Sequence, residues 1–591
     1  MTMTLRTTLP LFSLCLLGAC SSNPGTGAGE PSTSSTSTLG VASADGDEVL
    51  EGEGRVDVRH VVLISVDGLH ETDLARFIAG HPSSTFAELA GHGVEYTDAH
   101  TTTPSDSFPG MTALVSGATP KTAGVYYDDS YDRTLYAPGS NCAGNQGTEV
   151  VLDESIELDD SQLFSPINPD NLPHTKDAKG NCVPVMPHDF IRTNTIFEVI
   201  RAAGRHTAWS DKHPAYDLLN GPSGKGIEDL YTPEVNSLIK NGGTANGVDL
   251  AGTLAKCDGT TNSLKPSQIS DYTTCEPSIM AYDDAHVQAV INWIDGKTSD
   301  GSKSAPVPTI MGMNMQQVSV GEKLPVGGYT DAAGTPSALL ESAFEHVDAS
   351  LGRIVSELKA QHLYASTLIV ISAKHGQSPI ERAKLHMESG GQGTADVTDP
   401  LPSIDAVDPN VDQVLSTFAN PNSGNQYAID GHLQTDDVGI VWLQDQSSEK
   451  VAGVVQSLQS NATAIHADVL PPGTIFDMNI NSGAELAAIF GDPLSGDPVA
   501  AARAPNVFIQ PNWGVIYSGS SKKIAEHGGG SLDDTHVGML VSMPGLRHRT
   551  IDARVHTTQV APTILRALDL NPEALDGVRK EGTRTLPGLG L

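Results

Sequence analysis

Ser107 lies in Thr103-Pro104-Ser105-Asp106-Ser107-Phe108-Pro109-Gly110, directly ahead of Met111-Thr112-Ala113-Leu114-Val115-Ser116-Gly117. The second stretch reads as a short helix, with Pro109 suited to its first turn. A hydroxyl just before a helix N-terminus faces unpaired backbone N–H groups and the positive end of the dipole. Such a place suits a nucleophile that attacks a phosphate-like anion. It equally suits an ordinary helix cap, so Ser107 needs partners before it means chemistry. Three polar residues follow apolar runs elsewhere: Asp67 after His60–Val66, Gln316 after Thr309–Met315, and His375 close behind Leu368–Ser372. Carboxylate, amide, imidazole and hydroxyl together could hold a cation and act on an ester.

The elements that position them read as strands. The runs are continuously apolar rather than alternating, as expected of strands buried on both faces of a parallel sheet. In open sheets of this kind ligands bind beyond the carboxyl ends of the strands, where Asp67, Gln316 and His375 fall. Val537–Met543 has the same grammar, and Thr207-Ala208-Trp209 is a shorter run ending in Ser210-Asp211-Lys212-His213. A helix is expected from Thr335 to about Leu363, because Leu340, Phe344, Val347, Leu351, Ile354 and Leu358 recur at spacings of three and four. Lone histidines such as His213 and His346 read as surface or hydrogen-bonded residues.

Val66-Asp67-Gly68, Ser107-Phe108-Pro109, Lys374-His375-Gly376 and Glu526-His527-Gly528-Gly529 together resemble the alkaline phosphatase superfamily, in its nucleotide pyrophosphatase/phosphodiesterase branch. The resemblance runs from about His60 to the C-terminus. It implies a three-layer α/β/α sandwich around a mostly parallel sheet, with an inserted cap region. It also implies metal ligands at Asp67, Ser107, His375 and His527, with Ser107 as the nucleophile. Three positions depart from the family. Its Asp-x-x-x-His element is replaced by Gln316-Gln317-Val318-Ser319-Val320-Gly321, its Asp before His375 by Lys374, and its phosphate-binding Asn falls near Asp128. Glutamine is a poor zinc ligand and a protonated lysine is none. The expectation is therefore a divalent metal, zinc by family, at one site rather than two, built from Asp67, Ser107 and His375. His527 is a further ligand or an acid. Lys374 is expected to contribute positive charge to catalysis and substrate binding, or to pair with Asp67 or Asp128, and Asp128 to bind substrate.

The implied function is hydrolysis of phosphate-type esters through Ser107. Two alternatives are a binding lipoprotein of the same fold that has lost catalysis, and a sulfatase-like esterase. The second lacks the Arg of the sulfatase motif, since Met111 follows Ser107-Phe108-Pro109-Gly110.

The 591 residues carry 35 basic and 71 acidic side chains, a net charge of -36. That argues against binding a nucleic-acid backbone and requires any site for a small phosphate ester or related anion to be locally positive. At the N-terminus Arg6, the apolar run Leu9–Leu17 and Leu17-Gly18-Ala19-Cys20 resemble a bacterial lipoprotein signal. Cys20 would be the lipidated residue, anchoring an exported protein to the outer membrane or cell envelope. Residues 21–55 read as a flexible tether, and 56–591 as the catalytic domain, with insertions at about 130–190 and 382–511. The first is polar and reads as surface; the second could form a cap over the strand ends. Cys142, Cys182, Cys257 and Cys275 suggest two disulfides out of three possible pairings. Cys142–Cys182 with Cys257–Cys275 is preferred because each bridge would staple one polar insertion.

Overall fold

The computed structural model describes residues 57–257, 264–387, 427, 429–517 and 523–591. Cys20, the signal segment and the tether lie outside the described residues, as does much of the insertion after 387. No described helix is long and apolar enough to cross a membrane.

Twelve strands frame the argument: β1 His60–Val66, β2 Gly93–Tyr96, β3 Ala208–Ser210, β4 Asp229–Tyr231, β5 Ile310–Met315, β6 Thr367–Ser372, β7 His432–Thr435, β8 Gly439–Trp442, β9 Ile480–Ser482, β10 Val507–Ile509, β11 Met539–Ser542 and β12 Arg549–Ile551. Eight of them form the central sheet, in the order β12-β2-β11-β6-β1-β5-β3-β4. Neighbours pair in parallel, except that β11 runs against both β6 and β2. The apolar run at Val537–Met543, which shares the pattern of the parallel strands, is thus the reversed one. A strand buried on both faces reads the same in either direction.

The continuous apolar runs have a direct physical cause. Val61 and Leu63 of β1 enter one core, while Val62, Ile64 and Val66 enter the other. Leu368 and Val370 of β6 likewise oppose Ile369 and Ile371. Both faces are covered by helices, so apolar residues dominate both faces of these strands. On one face lie α2 (Ser107–Ser116) and α6 (Val560–Ala567); on the other lie α1 (Glu71–Gly80), α3 (Glu276–Ile294) and α5 (Ala338–Ala360). This is the α/β/α sandwich of the alkaline phosphatase fold. A short helix, α4 (Gln317–Lys323), follows β5. Helix α5 buries the expected stripe from Leu340 to Leu358 but starts later than expected, because Ser337 caps it by accepting the Leu340 N–H at 3.1 Å.

Within the long insertion, β7 to β10 make an antiparallel sheet in the order β7-β8-β10-β9. One of its cores includes Tyr126, Tyr127 and Tyr131, from the segment that carries Asp128. The 130–190 insertion is not merely surface. Leu135, Val150, Leu152, Ile156 and Leu172 join the main core, since a long insertion can shed solvent-exposed apolar area only by packing on the body. Disulfides link Cys142 to Cys182 and Cys257 to Cys275.

Candidate active site

Helix α2 begins at Ser107 itself, and Asp106 is its cap. The Asp106 carboxylate accepts N–H bonds from Phe108 at 3.3 Å and from Asp128 at 2.9 Å. The sequence reading placed Ser107 just outside the helix. The acidic cap instead puts it in the first turn, where its own N–H is among those left unpaired by the helix. Gly110 allows the close approach behind it, since a Cβ there would strike the Lys374 carbonyl. The end of β6 and the start of α2 are therefore locked together.

Around Ser107 Oγ stand Lys212 Nζ at 3.0 Å and His375 Nε2 at 3.4 Å. Asp67 Oδ2 accepts the Gln316 side-chain N–H at 2.8 Å and lies 3.2 Å from Lys374 Nζ, 3.6 Å from His375 Nε2 and 3.7 Å from Lys212 Nζ. Lys374 is wholly buried; it donates to Tyr216 Oη at 2.7 Å and sits over that ring. Burial by itself would push the Asp67 carboxyl up, but Lys374, His375 and Lys212 outweigh it and hold the group well below the usual range. Burial, then the charge of Lys374, pulls Lys212 down. His375 is also lowered, chiefly by burial. Its Nδ1 faces the Gly376 carbonyl at 2.8 Å and its Nε2 faces Ser107 and Asp67; in the neutral form that donates from Nδ1, Nε2 carries the lone pair.

The structure thus brings Asp67, Ser107, Lys374 and His375 together. His527 packs against His375 with ring centroids 4.0 Å apart and the rings tilted by 34°, and its Nδ1 lies 3.4 Å from Asp106 Oδ1. It faces Asp106 rather than the Asp67 carboxylate. Of the alternatives for Lys374, the ion pair with Asp67 is the one present. The lysine on Ser107 is Lys212, which follows β3; the sequence offered it, with Lys374 and a metal, only as a source of the positive charge that an anion site needs. Asp128 is half-buried beside the Asp106 cap. Burial, then Asp106 and Asp129, raises its carboxyl well above the usual range.

The Ser107 surroundings outline one set of donors, with the Lys212 and Lys374 ammonium groups beside it. Asp67, Ser107 and His375 converge, and Asp67 Oδ1 is buried with no hydrogen-bond partner among the described residues. Where the family's second ion would need a carboxylate and a histidine, Gln316 points an N–H at Asp67 and Val320 is buried and apolar. The N–H groups of Gln316 and Gln317, at the start of α4, go instead to Asp283 on α3, at 2.8 and 2.9 Å. Asp283 left no signal in the sequence, because it acts from within a long helix.

A mostly parallel sheet with a helix-borne serine, two carboxylates and two histidines beyond its strand ends defines a phosphoester-hydrolase type of centre. The chain belongs to the type I phosphodiesterase / nucleotide pyrophosphatase family, whose model matches residues 61–530. Among solved structures it is similar to a four-site variant of the alkaline phosphatase PafA, at TM-score 0.52, and to wild-type PafA, at 0.50. It is also similar to an inactive variant of murine ectonucleotide pyrophosphatase / phosphodiesterase 5 in complex with AMP, at 0.47. Each is 13% identical, with 87% of this chain and 96% of the other covered. No curated protein matches the sequence.

Proposed function

We propose that this protein hydrolyses phosphate esters of the phosphodiester or pyrophosphate class with Ser107 as the nucleophile. The observation that carries the reading is the Lys212 ammonium 3.0 Å from Ser107 Oγ, at the N-terminus of a buried helix. Ser107 Oγ loses its proton to solvent and attacks phosphorus, the P–O bond to the leaving alkoxide or phosphate breaks and that oxygen takes up a proton from solvent, and water then cleaves the phosphoseryl ester, returning the Ser107 hydroxyl and the phosphoryl product. Lys212 favours the Ser107 alkoxide and can follow the oxygen charge that builds on the phosphoryl group. Lys374 neutralises Asp67 and stands in for the charge of the missing second ion. Asp128, whose carboxyl is raised by burial and by Asp106, would in its protonated form donate to a phosphate oxygen as the family's Asn does. One divalent ion, zinc by its donor types, would be held by Asp67, Ser107 and His375; when bound, it lowers the hydroxyl pKa and offsets developing charge.

A second reading, a binding lipoprotein without turnover, is favoured by one observation: Asp67 Oδ2 is already engaged by Gln316, Lys374 and Lys212. In both readings Cys20 anchors an exported protein in the cell envelope. The deciding experiment is a turnover screen of the purified protein on phosphodiesters, phosphomonoesters and sulfate esters, with Ser107→Ala as control. Turnover of a phosphoester that Ser107→Ala abolishes supports hydrolysis; binding without turnover supports the second reading.

A further inference from the structure

A second cluster of ligating side chains lies next to Lys212 and begins with the residue that follows it, His213. Half-buried Glu154 and buried His213 and Glu234 place one ligand atom each within 4.8 Å of one another. His213 Nδ1 is 2.9 Å from both Glu234 carboxylate oxygens. Asn236 ties the carboxylates together, its backbone N–H on Glu234 and its side-chain amide on Glu154, each at 2.9 Å.

A third carboxylate faces this group. Glu157 is only 3% exposed, its carboxylate oxygens accept no bond from an amide, hydroxyl or cationic group of the described residues, and its hydrogen-bond neighbour is the Glu234 carboxyl group. Its strongest charged neighbour is Glu234, followed by Asp153 and Glu154. Unpaired carboxylates are not buried without compensation; either protons or a cation must supply it. Burial first, and then mutual repulsion, pushes Glu157 up to about 9, while burial is the main cause that takes Glu234 up to about 8.

Other groupings of ligating residues are closed in ways this one is not. In His70–Asp73–Glu322 the Tyr329 hydroxyl bonds both acids, at 2.6 and 2.8 Å. In Asp98–His100–His536 the Asp98 carboxylate is paired with Arg554 at 3.0 Å. Asp129–Glu149–His432 includes a carboxylate whose side chain is half exposed. Around Glu157 and Glu234 the nearby ammonium is Lys212, which is committed to Ser107 and Asp67.

We propose that Glu154, Glu157, His213 and Glu234 bind a divalent transition-metal ion, separate from the Ser107 site. One imidazole among several carboxylates suits zinc or manganese better than calcium, which prefers oxygen alone. The ion has a structural task. His213 follows Lys212 directly, and the Val235 N–H holds the Lys212 carbonyl at 3.0 Å. An ion shared with Glu154 and Glu157 would clamp the 130–190 insertion to the loop that aims Lys212 at Ser107.

The test uses the Asp67→Asn protein, in which the Ser107 site is disabled, so that the two sites are counted apart. It is stripped with chelator, reloaded with zinc or with manganese, and desalted; metal per chain and thermal midpoint are then measured. Asp67→Asn is expected to retain one ion and to melt higher when loaded. Adding Glu234→Gln or Glu157→Gln is expected to remove both effects. Should the Glu234→Gln double variant not fold, the Glu157→Gln one decides alone. Absence of bound zinc and manganese from Asp67→Asn, or unchanged metal in a folded double variant, overturns the proposal in favour of a protonated acid pair.

Discussion

Lys212 donates to Ser107 Oγ at 3.0 Å although 105 residues separate the two. The contact joins the end of β3 to the first turn of α2, and it sets an ammonium on the oxygen proposed to attack phosphorus. Charge-assisted bonds of this kind are stronger than neutral ones. Here one lies in a buried site, where solvent does little to screen it.

Ser107→Ala is expected to lower turnover by a factor on the order of 10³ or more, with a thermal midpoint near that of the parent. The cap belongs to Asp106, so losing the hydroxyl should cost under about 1 kcal/mol. Steady-state rates and melting curves on the same preparation check both halves. Wild-type turnover in the variant would remove Ser107 from the chemistry.

Lys374→Ala takes a buried cation from a buried carboxylate, a loss of about 3–5 kcal/mol when no other group compensates. Lys212 and Gln316 remain on Asp67, so the lower end is expected, together with reduced turnover. Lys374→Asp restores the carboxylate that the family places there and should raise zinc content at the Ser107 site. Elemental analysis of both variants in a Glu234→Gln background reads this out. Two zinc ions already bound around Ser107 in the protein with wild-type Lys374 would contradict the one-ion assignment.

His70 offers a pH signature away from the proposed ligands. It lies 2.9 Å from Asp73 Oδ2 and 2.9 Å from Tyr329 Oη. Burial disfavours its charged form, but the Asp73 hydrogen bond and the charges of Glu322 and Asp73 outweigh burial and raise its pKa to about 10. A raised folded-state pKa contributes stability that is complete below the unfolded value, about 6.5, and lost as pH climbs through the folded one. The urea midpoint should therefore fall between about pH 6.5 and 10, and His70→Asn should flatten that fall. Parallel pH profiles for parent and variant would show that His70 is not the group responsible.

Arg503 ties three segments together. It bonds Asp132 at 2.9 Å, the Gly124 carbonyl at 2.9 Å and the Phe190 carbonyl at 2.6 Å, and it stacks over the Phe190 ring. Arg503→Met would leave buried Asp132 unpaired, a cost of about 3–5 kcal/mol. Denaturant melts should show it; a variant as stable as the parent would mean that Asp132 finds another partner.

Cys20→Ala is expected to abolish labelling by a radioactive fatty acid and to release the protein from the membrane fraction. A variant labelled and sedimenting as before would exclude the anchor.

Much of the frame was legible in the residues. Strands covered on both faces leave unbroken apolar runs, so β1, β5 and β6 announced themselves, and the polar residues at or just beyond their ends marked where a site must lie. Asp67, Ser107 and His375 followed from that, together with the family motifs. The stripe from Leu340 to Leu358 showed α5 because a 3.6-residue period has no other use there.

Tertiary structure decided the rest. The direction of β11 carries no local mark, because a doubly buried run has no polar face to orient it. The sheet order places β3 beside β5, which brings Lys212 to Ser107, while the helices packed over the sheet bring Asp283 to the Gln316 and Gln317 amides. The insertion folds Glu154 and Glu157 onto His213 and Glu234. Each of these contacts joins groups whose energies depend on burial and on charges tens to hundreds of residues away, and no local pattern of residue types records that distance.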